Sequence, residues 1–266
     1  MVDFSVICPT YNSSSFIKKT LSSLEAQTYK PYEIIFADDG SSDDTVSILQ
    51  EFKNRSSLRV DVLKGEHKGP GAARNLAASK ASGSWLAFLD SDDTWREDKL
   101  EKVAKEIELN PDNNFFLHWE KYIRISGENR ILRNGESYNP NMDLITQIYT
   151  QNDISTSASV CLKRLFDASG GFDPKLPVSQ DYDLWLKCSE SMKLKVIPEV
   201  LGSYYERAQS ITAKPYYFKY PHLIKILFSH RQKVQTRKFL VRLFEITFSK
   251  QWLKTLYFTL KGVQRH

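Results

Sequence analysis

Residues 88–95 read Phe-Leu-Asp-Ser-Asp-Asp-Thr-Trp, which crowds Asp90, Asp92 and Asp93 into four positions directly after an apolar run. Like charges this close repel, and burying them costs desolvation energy. Two carboxylates at i and i+2 at a strand terminus suit a hard divalent cation, which takes oxygen ligands. An ion that also held a diphosphate would neutralise the group, and on this reading the loop orders when both arrive. Helix capping is the other reading, because Asp and Thr favour N-cap positions. Thr94-Trp95-Arg96-Glu97 matches a capping box for a helix from Trp95 to about Leu109. Capping explains Thr94 but leaves the three acids upstream without a purpose.

Other polar clusters follow apolar runs in the same way. Pro9-Thr10-Tyr11-Asn12 comes after Phe4–Cys8, and Asp38-Asp39-Gly40 after Tyr32–Ala37. His67-Lys68-Gly69-Pro70-Gly71-Ala72-Ala73-Arg74-Asn75 is a Gly-rich turn opening an Ala-rich helix. Such a turn offers backbone N–H groups to an anion, and Arg74 adds a charge-assisted bond. Further on, Gly170-Gly171 marks a turn, and Gln180-Asp181-Tyr182-Asp183 leads into Leu184, Trp185 and Leu186. Asp181 reads either as a helix cap or as a general base placed to take a hydroxyl proton; the residues alone do not decide between them.

The elements that must position these groups are legible from periodicity. Apolar runs at 4–8, 32–38, 58–63 and 85–90 predict strands, two of them buried on both faces as in a parallel sheet. Helices are expected from Ser13 or Ser14 to about Gln27, from about Asp44 to Lys53, from Gly69–Gly71 onward, and after Trp95. Strand–helix alternation over the first 110 residues gives an open parallel α/β sheet, in which ligands bind beyond the carboxyl ends of the strands. After Pro111 the rhythm changes: strands are expected at 115–125, 129–133, 157–164, 194–198 and 201–205, with a helix over 183–191.

Composition frames this reading. The chain has 266 residues, 41% hydrophobic and 26% charged, enough for a sizeable core. Cys8, Cys161 and Cys188 are odd in number and far apart, which suits reduced thiols rather than a disulfide framework. No basic leader and no membrane-length apolar stretch is evident, so a cytoplasmic location is expected. The net charge of +5 conceals an asymmetry, since residues 214–266 carry twelve bases and only Glu245 as an acid.

Taken together, Phe4–Asn12, Ala37–Thr45, Gly69–Asn75, Leu86–Trp95, Gly170–Leu176 and Gln180–Lys187 resemble, in order and spacing, the motifs of family 2 glycosyltransferases. Each motif is weak alone, but six in order are specific; the resemblance covers residues 3–212. It implies an inverting enzyme of GT-A fold, an α/β mixed sheet flanked by helices, that uses a nucleotide-diphosphate sugar, here followed by a basic helical extension. It implies a catalytic domain over 1–213, split into a nucleotide-binding half (1–110) and an acceptor-binding half (111–213), with 214–266 as the tail.

Carried over by position, the resemblance implies that Pro9, Thr10 and Tyr11 line the nucleoside pocket, Tyr11 against the base. Asp39 would hydrogen-bond the base, typically uracil N3–H, and Gly69, Ala72 and Arg74 would border the nucleotide. Asp90-Ser91-Asp92 looks like the DxD motif, with Asp92 on Mg2+ or Mn2+ and Asp90 on the ribose or the metal's water. Asp181 looks like the catalytic base, with Gln180 on the acceptor side and Trp185 one helical turn on, either walling the acceptor site or merely packing. The chain departs from the family pattern twice: Gln180 stands where Glu is common, and Arg207 where a His often approaches the metal or diphosphate. Arg207 cannot ligate a cation, but it suits direct pairing with the diphosphate.

The expected activity is therefore transfer from a nucleotide sugar, by family habit a UDP-sugar, to a hydroxyl of a glycan or lipid-linked acceptor in cell-surface polysaccharide synthesis. The alternatives are a nucleotidyltransferase-like protein and a catalytically degenerate nucleotide-sugar binder. The first wants a basic Gly-rich loop after the first strand, where this chain has Cys8-Pro9-Thr10-Tyr11-Asn12-Ser13. Two readings of the basic tail stand: a helical pair packed on the catalytic domain, or an amphipathic surface docking on anionic lipid on the cytoplasmic face of the membrane. With no recognition motif present, nucleic acid is not an expected partner.

Overall fold

The structure, a computed structural model, describes residues 1–208, 210 and 214–249. Its strands are β1 (Phe4–Thr10), β2 (Glu33–Asp38), β3 (Val60–Lys64), β4 (Trp85–Phe88), β5 (Thr94–Trp95), β6 (Phe115–Ile123), β7 (Arg130–Leu132), β8 (Ser159–Leu162) and β9 (Leu194–Tyr205). Its α-helices are α1 (Ile17–Glu25), α2 (Thr45–Arg55), α3 (Pro70–Lys80), α4 (Lys99–Leu109), α5 (Leu144–Thr150), α6 (Lys163–Ala168), α7 (Gln180–Cys188), α8 (Tyr216–Ser229) and α9 (Thr236–Thr247). One mixed sheet runs in the order β3-β2-β1-β4-β8-β6-β9-β5, with β7 paired to β6. The β1, β2, β3 and β4 pairings are parallel, whereas β8 is antiparallel to both β4 and β6. This is the GT-A arrangement of a mixed sheet flanked by helices.

The period-2 pattern of the strands divides the core into two layers. Phe4, Val6 and Cys8 of β1 face Leu21 and Leu24 of α1, Phe52 of α2 and Val103 of α4. Ile7 of the same strand faces the opposite layer, with Ala77 of α3, Trp185 of α7, Leu227 of α8 and Phe239 of α9. β1 and β2 are buried along their whole length, as their continuous apolar runs predict. The three thiols are free and buried. Ile226, Leu227, Phe239 and Ile246 belong to this same core, and Tyr149 Oη donates to Leu227 O at 2.8 Å. The first half of the basic tail is thus packed against the rest of the protein. The expected helical spacing of Trp252, Leu253, Leu256, Tyr257 and Leu260 lies outside the described residues. Among the described residues no helix is long and apolar enough to cross a membrane.

Several local expectations are corrected. The capping box at Thr94 does not form: Thr94 and Trp95 are the short strand β5, paired with Ser203 and Gly202 of β9, and α4 starts at Lys99. Trp95 is buried and its Nε1 donates to Ser157 O at 2.9 Å, so tertiary pairing overrides the local cap signal. Neither Ser13 nor Ser14 caps α1 by its side chain; that helix starts at Ile17, and Ser13 Oγ lies 2.9 Å from Ser91 Oγ. The strands expected at 194–198 and 201–205 are one strand, β9, whose register against β6 shifts near Trp119. Helix α7 begins three residues before the expected 183, which places Asp181 in its first turn. The short helices α5 and α6 carry too few turns to show a 3.6-residue period.

Behind the sheet's polar edge lies a set of buried titratable groups. Lys99 is fully buried with its Nζ 3.4 Å from the Trp95 ring centroid, a desolvated cation–π contact. Burial and the neighbouring Lys99 push His118 down to about 3, so it is neutral. Burial pushes Glu120 up to about 7, opposed by hydrogen bonds including that from Asn134 Nδ2 at 3.0 Å. A carboxyl raised from 4.5 to about 7 holds more protons folded than unfolded, so its stabilising contribution is complete below about pH 4.5 and is lost as pH rises through 7. We expect denaturant unfolding to show Glu120→Gln gaining on the wild type between pH 4.5 and 7, by up to about 1.4 kcal/mol per pH unit. A difference independent of pH would show that Glu120 is ionised throughout.

Candidate active site

The expected site residues converge at the carboxyl ends of β1, β2 and β4. Asp38 ends β2 and is a strut: its carboxylate accepts from Thr10 Oγ1 at 3.0 Å, from Ser41 N at 2.8 Å and from Ser41 Oγ. Asp39, one residue on, is buried and accepts from Lys68 N at 2.9 Å and Gly69 N at 2.7 Å. Two N–H groups of the expected anion cradle are therefore already committed, and they tie the β2 loop to the start of α3. Gly69 sits at φ +92, where L side chains are strained, with open space around the position a Cβ would take. Tyr11 is half exposed, its ring 4.7 Å from that of His67, and Pro9 and Thr10 are buried strand residues. Ala72 is half-buried in the first turn of α3.

The acidic loop resolves into three different roles. Asp90 pairs with the buried Arg74, whose guanidinium also lies 5.3 Å from the Phe172 ring centroid. Asp92 pairs with Arg207 at 3.6 Å, and the Arg207 guanidinium lies 3.2 Å from the Phe16 centroid. Burial and the neighbouring Asp90 raise Asp92 to about 6, opposed by Arg207 and Arg74. Asp93 is buried: Oδ1 accepts from Tyr205 N at 3.1 Å and Oδ2 from Ser157 Oγ at 2.6 Å. It neither caps α4 nor faces outward. Ser157 Oγ also accepts from Asp90 N at 3.1 Å, and Thr20 Oγ1 donates to the carbonyls of Ser91 and Asp93, both at 2.8 Å. Contrary to the expectation of a loop ordered only by its ligands, it is already held on three sides, and two arginines already oppose its repulsion.

Asp181 approaches from the other half of the sheet. A clasp fixes the turn ahead of its helix to α3: Asn75 Nδ2 donates to Phe172 O at 2.8 Å and Asn75 Oδ1 accepts from Phe172 N at 2.9 Å. Gly171 makes this possible at φ +70, since a Cβ there would stand 2.7 Å from Asn75 Oδ1. Burial raises the Asp181 carboxyl, with Arg74 lowering and Asp90 raising it, so the base candidate feels the donor-side charges. Gln180 is buried and packs near Gly71. Trp185 does not wall the site. It is fully buried, its ring centroid 5.1 Å from Phe115 and 6.2 Å from Phe88, both edge-on, and it is a core residue.

A cleft of about 670 Å3 opens beside Asp181 and is lined in part by Asn152, Tyr182, Lys219, Arg242 and Glu245. Sequence reading missed all of these as site residues. Nothing local marks Asn152, and the bases of the tail read equally as a solvated or a lipid-facing surface. Asp183, also in α7, is a scaffold group bonded to His230 Nε2 at 2.9 Å and paired with Lys187 at 2.7 Å.

For a divalent cation, Asp90 and Asp92 supply hard oxygen donors at i and i+2. Among the described residues no group of three or more His, Cys, Asp or Glu is placed to hold an ion. The pair fits an ion that completes its shell from a diphosphate and water, as Mg2+ does.

Comparison with known proteins gives concordant findings. The Glycosyl transferase family 2 model matches residues 5–167. The amylovoran biosynthesis glycosyltransferase AmsB of Erwinia amylovora is 28% identical over 210 residues, 77% of this chain and 70% of that protein. A crystal structure of TarS from Staphylococcus aureus superposes with a TM-score of 0.72 at 25% identity, over 98% of this chain and 76% of that one. The mannosyltransferase PcManGT from Pyrobaculum calidifontis, solved with GDP-Man and Mn2+, superposes at 0.69 with 16% identity, over the same shares of the two chains.

The Asp93 assignment separates shape from charge. Asp93→Ala should cost about 2 kcal/mol of unfolding free energy by stranding Ser157 Oγ and Tyr205 N–H. Asp93→Asn should cost less than half of that, because burial, with Asp92 and Glu120, already favours the neutral form. Equal losses in urea unfolding would show that the charge itself is needed.

Proposed function

This chain belongs to glycosyl transferase family 2, and we propose that it is an inverting enzyme that moves a sugar from a nucleotide diphosphate, a UDP-sugar by family habit, to a hydroxyl of a glycan or lipid-linked acceptor. The observation that carries the reading is the convergence of Asp39, Asp90, Asp92 and the clasped Asp181 at the ends of the parallel strands, with an open cleft beside Asp181. A crystal structure of TarS contains UDP-GlcNAc, and AmsB by its name acts in amylovoran biosynthesis; both support a nucleotide-sugar donor and a cell-surface product. On this reading residues 1–110 form the donor half and 111–213 the acceptor half.

Each residue then has a physical task. Pro9, Thr10 and Tyr11 line the nucleoside pocket, and Asp39, held rigid by the 68–69 backbone, accepts from the base on its remaining lone pairs. Gly69, Ala72 and Ser91 border the nucleotide and shape its approach. Arg74 and Arg207 are fixed cations for the diphosphate, and both gain by exchanging a carboxylate for phosphate oxygens. Asp92 and Asp90 would hold Mg2+ or Mn2+, which when bound supplies Lewis-acid neutralisation of the leaving diphosphate. Asp181 takes the proton from the acceptor hydroxyl as its oxygen attacks the anomeric carbon opposite the nucleotide. The C–O bond to the nucleotide breaks as the new one forms, and configuration inverts. Burial raises the Asp181 carboxyl, which makes it a stronger base than a solvated aspartate.

Retention of Asp39, Asp90, Asp92 and Asp181 together argues against a catalytically degenerate binder. The test is direct. With Mn2+ and the nucleotide sugar that gives the largest thermal shift, Asp181→Asn should lower turnover about 10²–10⁴-fold and leave nucleotide affinity nearly unchanged in calorimetry. Near-normal turnover would remove Asp181 as the base. Asp92→Ala should weaken Mn2+-dependent nucleotide binding about tenfold or more; unchanged affinity would remove it as a ligand.

A further inference from the structure

The cleft beside Asp181 has two owners. Asn152, Asp181 and Tyr182 come from the catalytic core, whereas Lys219, Arg242 and Glu245 come from α8 and α9 in the basic tail. Neither Asp90 nor Asp92 lines it. Two buried polar atoms on its walls, Asn152 Oδ1 and Arg242 Nε, have no hydrogen-bond partner among the described residues. The core wall offers Asn152 and Asp181 and the tail wall the cations Lys219 and Arg242, so a ligand carrying both hydroxyl and anionic groups complements the two walls. Arg242 is held in place by Glu245, at 3.1 Å from Nη1 to Oε2. Burial lowers the pKa of the Lys219 ammonium, which an incoming negative charge would offset.

The charge of the surroundings narrows the class. Residues 214–249 contain eight bases and one acid. A neutral glycan has no use for that surplus. A bilayer would use it, but Lys219 and Arg242 line a concave cleft that a membrane surface does not enter, whereas a single polymer strand does. We infer that this cleft is an acceptor subsite for an anionic glycan or polyol chain, whose phosphate or carboxylate groups pair with Lys219 and Arg242 while a neighbouring hydroxyl faces Asp181. The inference rests on Asp181 being the base, and it makes α8 and α9 part of the specificity apparatus.

The experiment is calorimetry on the full chain with four probes: short glycerol-phosphate oligomers, oligogalacturonate, neutral maltohexaose and phosphatidylglycerol vesicles. UDP with Mn2+ is titrated in parallel, and thermal unfolding checks each variant. At least one charged oligomer should bind and maltohexaose should not; the preferred oligomer identifies phosphate or carboxylate as the anion. Lys219→Gln and Arg242→Gln should each weaken that binding about tenfold and leave UDP affinity unchanged. Lys238→Gln, exposed on the same helix as Arg242 but outside the cleft, should change it less than about twofold. If Arg242→Gln lowers the unfolding temperature, Lys219→Gln alone decides. The inference falls if maltohexaose binds as tightly as the charged oligomers, or if Lys238→Gln is as damaging as Lys219→Gln. It also falls if only the vesicles bind. UDP binding without any oligomer binding sinks this inference alone, whereas absence of UDP binding sinks the UDP-sugar choice of donor beneath it.

Discussion

Asp93 is bonded at both carboxylate oxygens, and the geometry of the whole donor edge hangs on it. It joins the turn after β4 to Ser157 before β8 and to the backbone of Tyr205 at the end of β9. These are the places where the parallel half of the sheet meets the antiparallel half. These two bonds tie three separate segments of the chain together, and their main effect is positional. With Asp93 drawn inward, Asp90 and Asp92 are turned outward, each towards its own arginine. A run of three similar residues thus becomes one buried strut flanked by two groups that can meet a ligand.

The parts of this arrangement visible in the sequence are those fixed by short-range rules. The continuous apolar runs of β1 and β2, the Gly-Pro-Gly start of α3 and the acidic clusters at strand ends all announce themselves, because burial and turn chemistry act within a few residues. What stayed hidden depends on partners far along the chain. Thr94 and Trp95 carry a good local signal for a helix start, yet they pair as β5 with residues more than a hundred positions later. Trp185 sits one turn from Asp181 and reads as a site wall or a packing residue; rings from β4, β6 and the turn before α7 claim it for the core. Asn152 and Arg242 have no motif at all, and only the packing of α8 and α9 brings them to one cleft.

The clasp between Asn75 and Phe172 deserves comparison with the ion pairs around it. Two amide bonds at 2.8 and 2.9 Å hold α3 to the turn that leads into α7, and Phe172 at the same time supports the Arg74 guanidinium. Small residues make room for this. Ala73, Ala77 and Ala78 let α3 lie close on the sheet, and Gly71 and Gly171 remove the side chains that would wedge the two segments apart. Arg74 and the turn that leads to Asp181 are therefore tied together at Phe172. Asp181 also senses both Arg74 and Asp90 electrostatically.

The pairing of Asp90 with Arg74 and Asp92 with Arg207 also has a kinetic side. A diphosphate arriving from solution does not meet two bare carboxylates; it meets two cation–carboxylate pairs whose outer fields largely cancel. Beyond about 8–10 Å at physiological salt such pairs exert little force in either direction. Encounter with the donor is then governed by diffusion and orientation rather than by attraction or repulsion at a distance. Charge begins to act only at contact, when phosphate oxygens compete with the carboxylates for the same guanidinium groups. On the proposed reading, these two pairs discriminate among anions where they touch rather than by attraction at a distance.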